Sequence, residues 1–408
     1  MADLPISKGP ISKGPISKGP ISKGPISKGS AGRPLRVAMV TSSYNYIKDG
    51  VALTLNRLVA FLEAQGVEVL VFAPTAAVPA FAHAGTMVPV PSVALPARPE
   101  YRLALGMPGD VRTQLKAFSP DIIHIAVPDL LGMRALKLAR QEGIPAVATY
   151  HTRYETYLKH YWYAAPFTGL LKAHLRRFYG ACREVYVPST DIAESLKADG
   201  CRDNFRIWPR GIDAARFDPA KRSAGWRVQH GISADEVVVL HVSRLVREKR
   251  IDVLAGMLDG LKEKGAPHRA VIVGDGPERE TLEAALPHAI FTGTLDGETL
   301  AIAYASSDIF VFPSETESFG NVTLEAMASG LACLCADASG SRSLVDDGIT
   351  GFLAPPGDVP AFTALLDRLV RDANLRGRMA TAAHAKSLTF RWDETLARML
   401  GWYRAVIA

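Results

Sequence analysis

Short runs of aliphatic and β-branched residues recur along the chain and alternate with stretches of helical periodicity. In the first half the apolar runs are 35–40, 67–72, 122–125, 146–149 and 184–187. Apolar residues at helical spacing lie between them, most clearly over 51–65 and 131–141. This alternation predicts parallel strands joined by helical crossovers, which is a doubly wound α/β layer extending to about Trp208.

A second series of the same kind follows a break at Arg210–Asp213. Its apolar runs are 237–242, 270–273, 289–292, 308–312 and 331–336, and helical patterns follow over 360–386. We therefore expect an N-terminal domain at 31–208 and a C-terminal domain at 209–386. The last segment, 387–408, has an apolar helical face, which we expect to pack back across the domain junction.

The first 30 residues have a different character. The pentapeptide ISKGP repeats through 6–29, with Gly and Pro every five residues and no apolar stripe. This pattern predicts a disordered tail, and an unstructured extension is favoured over a basic arm that contacts membranes. The segment has no apolar central region of the kind that a signal peptide needs.

Composition and charge narrow the class of protein. The chain has 408 residues, 48% of them hydrophobic, and no apolar run long enough for a spanning helix. Its four cysteines lack a disulfide framework, which favours the cytoplasm. Net charges of +4 for 1–30, +7 for 31–210 and −5 for 211–408 add up to the formal +6. The basic half suits an anionic lipid or acceptor, and no nucleic-acid-binding module is recognisable.

The stretch Pro313–Gly330, PSETESFGNVTLEAMASG, carries the clearest candidate chemistry. It predicts a loop after a buried strand, then a short helix from Asn321 that Gly330 terminates. Backbone N–H groups at the start of such a helix bind anions. Glu317 and Glu325 bracket this position, and carboxylates accept hydrogen bonds from diols, so the pair suits a ligand with both phosphate and hydroxyls. Two solvated acids beside an ordinary α/β connection are the alternative.

Two further strand ends in the same predicted sheet carry candidate groups. The run Ser243–Arg250 offers Arg244 and Lys249 to a diphosphate, although a solvated charge cluster would have the same composition. Gly274 opens a Gly-Asp-Gly-Pro turn, which is weak evidence for a ligand site. Leu295 follows another strand, where we expect backbone groups to meet a nucleobase.

Taken together, these motifs make residues 35–408 resemble a GT-B-fold retaining glycosyltransferase of the large nucleotide-sugar group, the group 1 glycosyltransferases. The E-x7-E motif is Glu317 and Glu325. Beside it stand S-R-x-x-x-x-K from Ser243 to Lys249, the G-D-G-P turn, R-G-I-D at Arg210 and F-R-W-D at Phe390. Glycolipid- and mannosyl-synthesising members are the most similar. The resemblance implies two Rossmann-like domains facing a central cleft, with a C-terminal helix that crosses back to the first.

The resemblance also implies a role for each matching residue. Arg244 and Lys249 would bind the donor diphosphate, and Glu325 the ribose hydroxyls. Glu317 would contact the transferred sugar, helped by the segment that continues it: Ser318, Phe319, Gly320, Asn321 and Val322. Leu295 would border the base, Gly274 the ligand, and Gly50 would close over the phosphates. His151, after the Ala146–Thr149 run, matches the family histidine that contacts the donor sugar.

Two departures from the family pattern affect these roles. The first loop reads Lys48-Asp49-Gly50-Val51 in place of a double glycine, and Ser339–Ser343 lacks the usual acid. Neither a metal-binding D-x-D at a suitable place nor an enzymic nucleophile is recognisable. We expect no metal and no cofactor, because Arg244 and Lys249 would neutralise the leaving diphosphate.

The expected reaction moves a hexosyl unit from a UDP- or GDP-sugar to a hydroxyl, with a membrane lipid favoured as acceptor and a growing glycan second. The basic-aromatic run 151–180 suits a lipid headgroup layer, so we expect peripheral contact with an anionic membrane at the cytoplasmic face; a core helix pair is the alternative for this run. Two rival functions remain, a GT-B-fold nucleotide-sugar epimerase and a non-catalytic sensor of nucleotide sugars.

Overall fold

The computed structural model of the chain describes residues 33–95, 98–151 and 168–408. The tail that we expect to be disordered, and 152–167 of the basic-aromatic run, lie outside the described residues. Two parallel β-sheets, each covered by helices on both faces, organise the described chain.

The first sheet is built from residues 36–207. Its parallel strands lie in the order β3-β2-β1-β6-β7-β8-β9. Their bounds are β1 Arg36–Val40, β2 Glu68–Ala73, β3 Thr86–Pro89, β6 Ile122–Ile125, β7 Ala146–Thr149, β8 Val185–Val187 and β9 Phe205–Ile207, and an antiparallel hairpin pairs β4 Ser92–Leu95 with β5 Arg98–Ala104. The helices are α1 Gly50–Ala64, α2 Gly109–Phe118, α3 Leu130–Glu142, α4 Thr168–Gly180 and α5 Thr190–Ala198.

The second sheet is built from residues 238–354, in the parallel order β12-β11-β10-β13-β14-β15. Its strands are β10 Val238–Val242, β11 Arg269–Val273, β12 Ile290–Gly293, β13 Ile309–Phe312, β14 Ala332–Ala336 and β15 Gly351–Ala354. The helices are α6 Ala224–Gln229, α7 Ile251–Glu263, α8 Arg279–Ala285, α9 Gly297–Ala305, α10 Asn321–Ala328, α11 Ser339–Arg342, α12 Val359–Arg371, α13 Ala373–Ser387 and α14 Trp392–Ile407, with short 3₁₀ turns at Pro219–Lys221 and Arg247–Lys249.

Both sheets are buried on both faces, which explains why their strands are continuous apolar runs. In β1, Val37 and Met39 face the cluster that contains α1, while Ala38 and Val40 face α2 to α5. The strand order reverses between β1 and β6 in one sheet and between β10 and β13 in the other. Such reversals open a crevice beyond the carboxyl ends of the strands, where ligands bind in α/β sheets.

Helix α14 returns to the first domain, as the fold prediction has it. Leu396, Met399 and Tyr403 are buried in the cluster formed by α1 and one face of the first sheet. The chain enters this helix beside Gly211, where an added Cβ would lie 2.5 Å from the Trp392 ring. Only glycine therefore allows the domain linker and the crossing helix to approach this closely.

The hydrophobic pattern does not predict every element. Strand β3, the β4–β5 hairpin and helix α2 all fall between 73 and 121, where Pro and Gly interrupt the periodicity. Within the described residues, no helix combines the length and apolar character needed to cross a membrane.

Candidate active site

The two acids and the two cations lie at the reversal point of the second sheet. Arg244 and Lys249 follow β10, whereas Glu317 and Glu325 follow β13, its direct neighbour. The carboxyl ends of parallel neighbours meet at one edge of a sheet. The sequence motifs therefore converge because of strand order, although almost 70 residues separate Lys249 from Glu317.

Lys249 and Glu317 form an ion pair in which the ammonium donates to the Glu317 carboxylate. Their side chains are 17% and 24% exposed. The Lys249 ammonium also lies 5.7 Å from the centre of the Phe312 ring, over its face. Both groups are thus held in place at the carboxyl ends of β10 and β13.

Arg244 is more open to solvent. Its side chain is 49% exposed, with its guanidinium 4.0 Å from the Glu248 carboxylate. Buried His241 anchors the loop that follows β10. Its Nδ1 lies 3.0 Å from the Val311 carbonyl oxygen and its Nε2 lies 2.8 Å from the Ser243 hydroxyl. The half-exposed Arg244 side chain therefore extends from a loop that buried His241 anchors.

Glu325 lies inside α10, and its partner is Tyr304, which none of the sequence motifs contains. The Tyr304 hydroxyl is 3.2 Å from both the Glu325 carboxylate and the Val322 carbonyl oxygen. Burial raises the pKa of Glu325 to about 7, against the hydrogen bond from Tyr304 and the charge of Arg216, which lower it. This acid is therefore not a solvated loop residue.

The loop from Glu317 to α10 has the geometry of an anion site. Gly320 has φ 96°, which turns the chain sharply into the helix. The N–H groups of Asn321 and Val322 lie in the first turn, where helices leave such donors unpaired. The Phe319 side chain is buried against Phe390, so only its backbone is available to a ligand.

The first domain meets this loop at two places. The Ser318 hydroxyl donates to the His151 carbonyl oxygen at 3.0 Å. Gly50 opens α1 close to Asn321, whose Nδ2 would lie 3.4 Å from a Cβ added at Gly50. An exposed ion pair between Lys48 and Asp296, at 3.2 Å, joins the domains at the rim. Gly50, His151 and the Glu317 loop thus face one cleft.

Asp49 explains the altered glycine loop of the first domain. It caps α1 by accepting from the Ala52 N–H at 2.8 Å, and the Ser43 hydroxyl donates to it. Burial raises the pKa of Asp49, while these hydrogen bonds and the charge of Arg244 across the cleft oppose that rise. The residue before Gly50 therefore has a structural role in starting the helix.

Gly274 and Leu295 lie further from the ion pair. Gly274 has φ 131°, and an added Cβ would lie 1.8 Å from the Ser243 carbonyl oxygen, so this glycine lets the β10 and β11 loops touch. Leu295 is partly buried against the α9–α10 side of the core. Their proximity to a bound ligand stays a prediction.

Gly340 is a site residue that the motifs do not identify. It lies in the Ser339–Ser343 segment that lacks the family's usual acid, and an added Cβ would lie 2.7 Å from the Cβ of Glu317. Its lack of a side chain therefore allows the Glu317 loop to occupy its position. Across the described residues, no cluster of three or more His, Cys, Asp or Glu is placed to hold a metal ion.

Comparison with known proteins agrees with this geometry. Residues 223–386 match the family Glycosyl transferases group 1, and residues 48–216 match Glycosyltransferase Family 4. GDP-mannose-dependent alpha-mannosyltransferases from Corynebacterium glutamicum and Mycobacterium tuberculosis are 34% and 36% identical, over 92% and 91% of this chain and 90% and 97% of theirs.

A phosphatidyl-myo-inositol mannosyltransferase from Mycolicibacterium smegmatis is 27% identical over 91% of this chain and 94% of its own. Among solved structures, the sucrose-phosphate synthase of Thermosynechococcus elongatus superposes with a TM-score of 0.74 at 22% identity, covering 91% of this chain and 99% of that one. The fold is thus GT-B, and with full-length relatives above 30% identity the chain belongs to the group 1 glycosyltransferases.

Proposed function

We propose that this glycosyltransferase moves a hexosyl unit from a UDP- or GDP-sugar, with GDP-mannose first, to a hydroxyl of a membrane lipid, retaining the anomeric configuration. The observation that carries the proposal is the convergence of Lys249, Glu317 and Glu325 at the reversal point of the second sheet. His151 faces them from the first domain through the contact with Ser318.

The chemistry divides among these groups by charge. Sugar transfer leaves a nucleoside diphosphate, so negative charge develops on its phosphate oxygens. Lys249, Arg244 and the start of α10 provide positive charge and N–H donors for that charge. Carboxylates accept hydrogen bonds from hydroxyls, which suits Glu317 to the sugar and Glu325 to the ribose. Because protein cations balance the leaving group, the proposed reaction needs no divalent metal.

The donor preference follows the relatives' names, since two of them are GDP-mannose-dependent. The test is a thermal-shift series with GDP-mannose, GDP-glucose, UDP-glucose and UDP-galactose. A ligand at about 100 times its Kd stabilises the folded protein by about 2.7 kcal/mol. GDP-mannose should give the largest shift, and a larger shift with a UDP-sugar would refute the donor assignment.

A lipid acceptor is supported by an exposed apolar surface on the first domain. Val93 and Leu103 are paired across the β4–β5 hairpin and are 47% and 45% exposed. Leu105 and Leu130 are 52% and 48% exposed, and a Cβ added at Gly106 would lie 3.5 Å from the Leu130 side chain. Exposed apolar residues on a domain with a net positive charge suit a lipid layer with anionic headgroups.

Vesicle flotation tests the acceptor class. Binding to vesicles containing phosphatidylglycerol should weaken as salt is added, because screening reduces the attraction between basic side chains and headgroups. Vesicles of phosphatidylcholine alone are the control. Transfer to a lipid extract without transfer to soluble glycans would support the proposal; the reverse result would assign a soluble glycan acceptor.

Product analysis tests stereochemistry and metal dependence together. Proton NMR of the product should show the α-anomer from GDP-α-mannose, and excess EDTA should leave the rate unchanged. Incubation with donor alone, which an epimerase would convert to another nucleotide sugar, should return the donor or its hydrolysis products. A β-linked product or loss of rate in EDTA would contradict retention or metal independence.

A further inference from the structure

Arg210, in the linker between the domains, makes a direct contact with His151. Its Nη2 lies 2.6 Å from His151 Nδ1. A guanidinium has only donors, so Nδ1 must be the acceptor in this hydrogen bond. In a neutral imidazole the proton then resides on Nε2. The tautomer follows from the chemistry of Arg210.

The other ring nitrogen is the unusual feature. His151 is 8% exposed, and its Nε2 is buried without a hydrogen-bond partner among the described residues. A buried N–H donor that lacks an acceptor is costly, so it indicates a ligand oxygen. The backbone of the same residue is bound to Ser318, next to Glu317. The ring therefore belongs to the cleft in which the donor sugar is proposed to bind.

Burial is the main reason that the ring takes no second proton, and Arg210 adds to it. Burial, then the charge of Arg210, then the neighbouring His124 hold the pKa of His151 well below its usual range. Burial lowers the pKa of Arg210 to about 10, which still leaves it charged near neutral pH. His124 on β6 is buried between Tyr403 and Thr149, and burial lowers its pKa to about 3.

The guanidinium is itself held in place. Arg210 is 6% exposed and stacks over Trp208, with 5.0 Å between its Cζ and the ring centre. The same indole forms a T-shaped ring contact with His151, at 6.4 Å between ring centres. Trp208, Arg210 and His151 thus form one packed unit.

We propose that Arg210 is a positioning residue for the transfer: by donating to Nδ1 it fixes His151 as a neutral Nε2–H donor to an oxygen of the bound sugar nucleotide. His151 then binds and orients the donor and exchanges no proton during the reaction. This inference rests on the proposed function, because it names the group that aligns the donor in that site.

The first test uses the unmodified protein without donor. Nitrogen NMR of a sample labelled in histidine, with the His151 signals assigned by their loss in His151→Gln, reports which ring nitrogen carries the proton. His151 should show a protonated Nε2 and a bare Nδ1 across about pH 5 to 8, the range in which histidine ordinarily titrates. A protonated Nδ1, or titration within this range, would overturn the proposal.

The second test compares Arg210→Met with Arg210→Lys. In Arg210→Met the ring regains both tautomers and loses a charge that helps to lower its pKa, so kcat/KM should fall by up to about 100-fold, as expected when a group that positions the substrate is misaligned. The loss should grow towards low pH, because the charge of Arg210 no longer opposes protonation of the ring. Arg210→Lys keeps a donor and a charge, and should recover part of the rate.

Arg206→Met is the matched control, because Arg206 lies four residues earlier and pairs with Glu184 at the surface. It should leave both the rate and the His151 spectrum unchanged. An Arg210→Met enzyme with normal rates and pH profile would refute the positioning role. If the unmodified protein transfers no sugar, the proposed function fails while the tautomer result stands; if transfer is normal and His151 titrates, only this inference fails.

Discussion

Lys249 and Glu317 neutralise each other at the centre of the candidate active site. Each is also assigned to a different part of the donor, the diphosphate and the sugar. A bound sugar nucleotide must therefore replace an existing ion pair with two new contacts. The pair holds both side chains in the crevice before the ligand arrives, which reduces the ordering cost of binding.

Replacing Glu317 should separate nucleotide binding from transfer. In Glu317→Gln, Lys249 loses its charged partner, so GDP should bind several-fold more tightly. Transfer should fall by about two orders of magnitude, because the carboxylate that holds the sugar is absent. Calorimetric titration and initial rates measure the two effects. The control is Glu315→Gln, because Glu315 is a nearby acid that pairs with Arg250 instead of Lys249. Weaker GDP binding in Glu317→Gln would contradict the role of the Lys249–Glu317 pair.

Removing Lys249 should abolish transfer without unfolding the protein. Lys249→Ala deletes a cation that balances the leaving diphosphate, so the rate should drop by about 1000-fold. The neighbouring Arg247 is 88% exposed and its substitution by alanine should have little effect. Turnover and circular dichroism of both variants check this. A Lys249→Ala enzyme with near-normal turnover would show that the site is assigned wrongly.

Glu325 should make stability depend on pH. Its pKa is raised from 4.5 to about 7 by burial, so the folded protein keeps this proton after the unfolded chain has lost it. Stability must then fall as pH rises through that window. Glu325→Gln removes this effect. The free energy of unfolding of the variant, relative to that of the unmodified protein, should be higher at pH 8 than at pH 4 by up to about 3 kcal/mol.

Urea denaturation at the two pH values measures this change. Glu283→Gln, which replaces an exposed acid, is the control. A difference that does not vary with pH would show that Glu325 titrates normally. Donor affinity should fall in Glu325→Gln at pH 8, because an amide replaces a carboxylate that accepts from the ribose hydroxyls, and should change less at pH 4, where Glu325 is already protonated.

Gly340 should control the position of Glu317. An alanine Cβ would lie 2.8 Å from the Glu317 carbonyl oxygen, so the loop must move by several tenths of an ångström in Gly340→Ala. Turnover should fall about tenfold or more, because transfer is sensitive to small displacements. Gly377→Ala is the control, since nothing lies within 4 Å of its added Cβ, and it should stabilise α13 by up to about 1 kcal/mol. Equal turnover in both variants would exclude the role of Gly340.

Local pattern was sufficient to predict the repeated α/β units, because strands buried on both faces are short apolar runs. It was also sufficient for the return of α14, whose apolar face is visible in the sequence. It failed over 73–121, where the β4–β5 hairpin exposes Val93 and Leu103 and so lacks the alternation of a half-buried strand.

The candidate site likewise contains residues that the sequence predicts and contacts that it does not. Glu317, Glu325, Arg244 and Lys249 stand in recognisable spacing, so their proximity could be predicted from the motifs. The contact between Arg210 and His151 spans 59 residues, and that of Gly340 with Glu317 depends on packing between loops. No spacing rule encodes such contacts, because they arise only when separate strands are placed side by side.

The near contact between Gly50 and Asn321 places the starts of two helices on opposite sides of one cleft. Both ends carry partial positive charge, and the Asp49 carboxylate offsets it at α1, whereas no side chain caps α10, so an anion in the cleft would be attracted to the start of α10. In the proposed reaction the donor diphosphate supplies that anion, so donor binding should favour the approach of the two domains. Substrate addition should therefore be compulsory in order: the sugar nucleotide binds first, and the acceptor enters a cleft that the donor has already assembled.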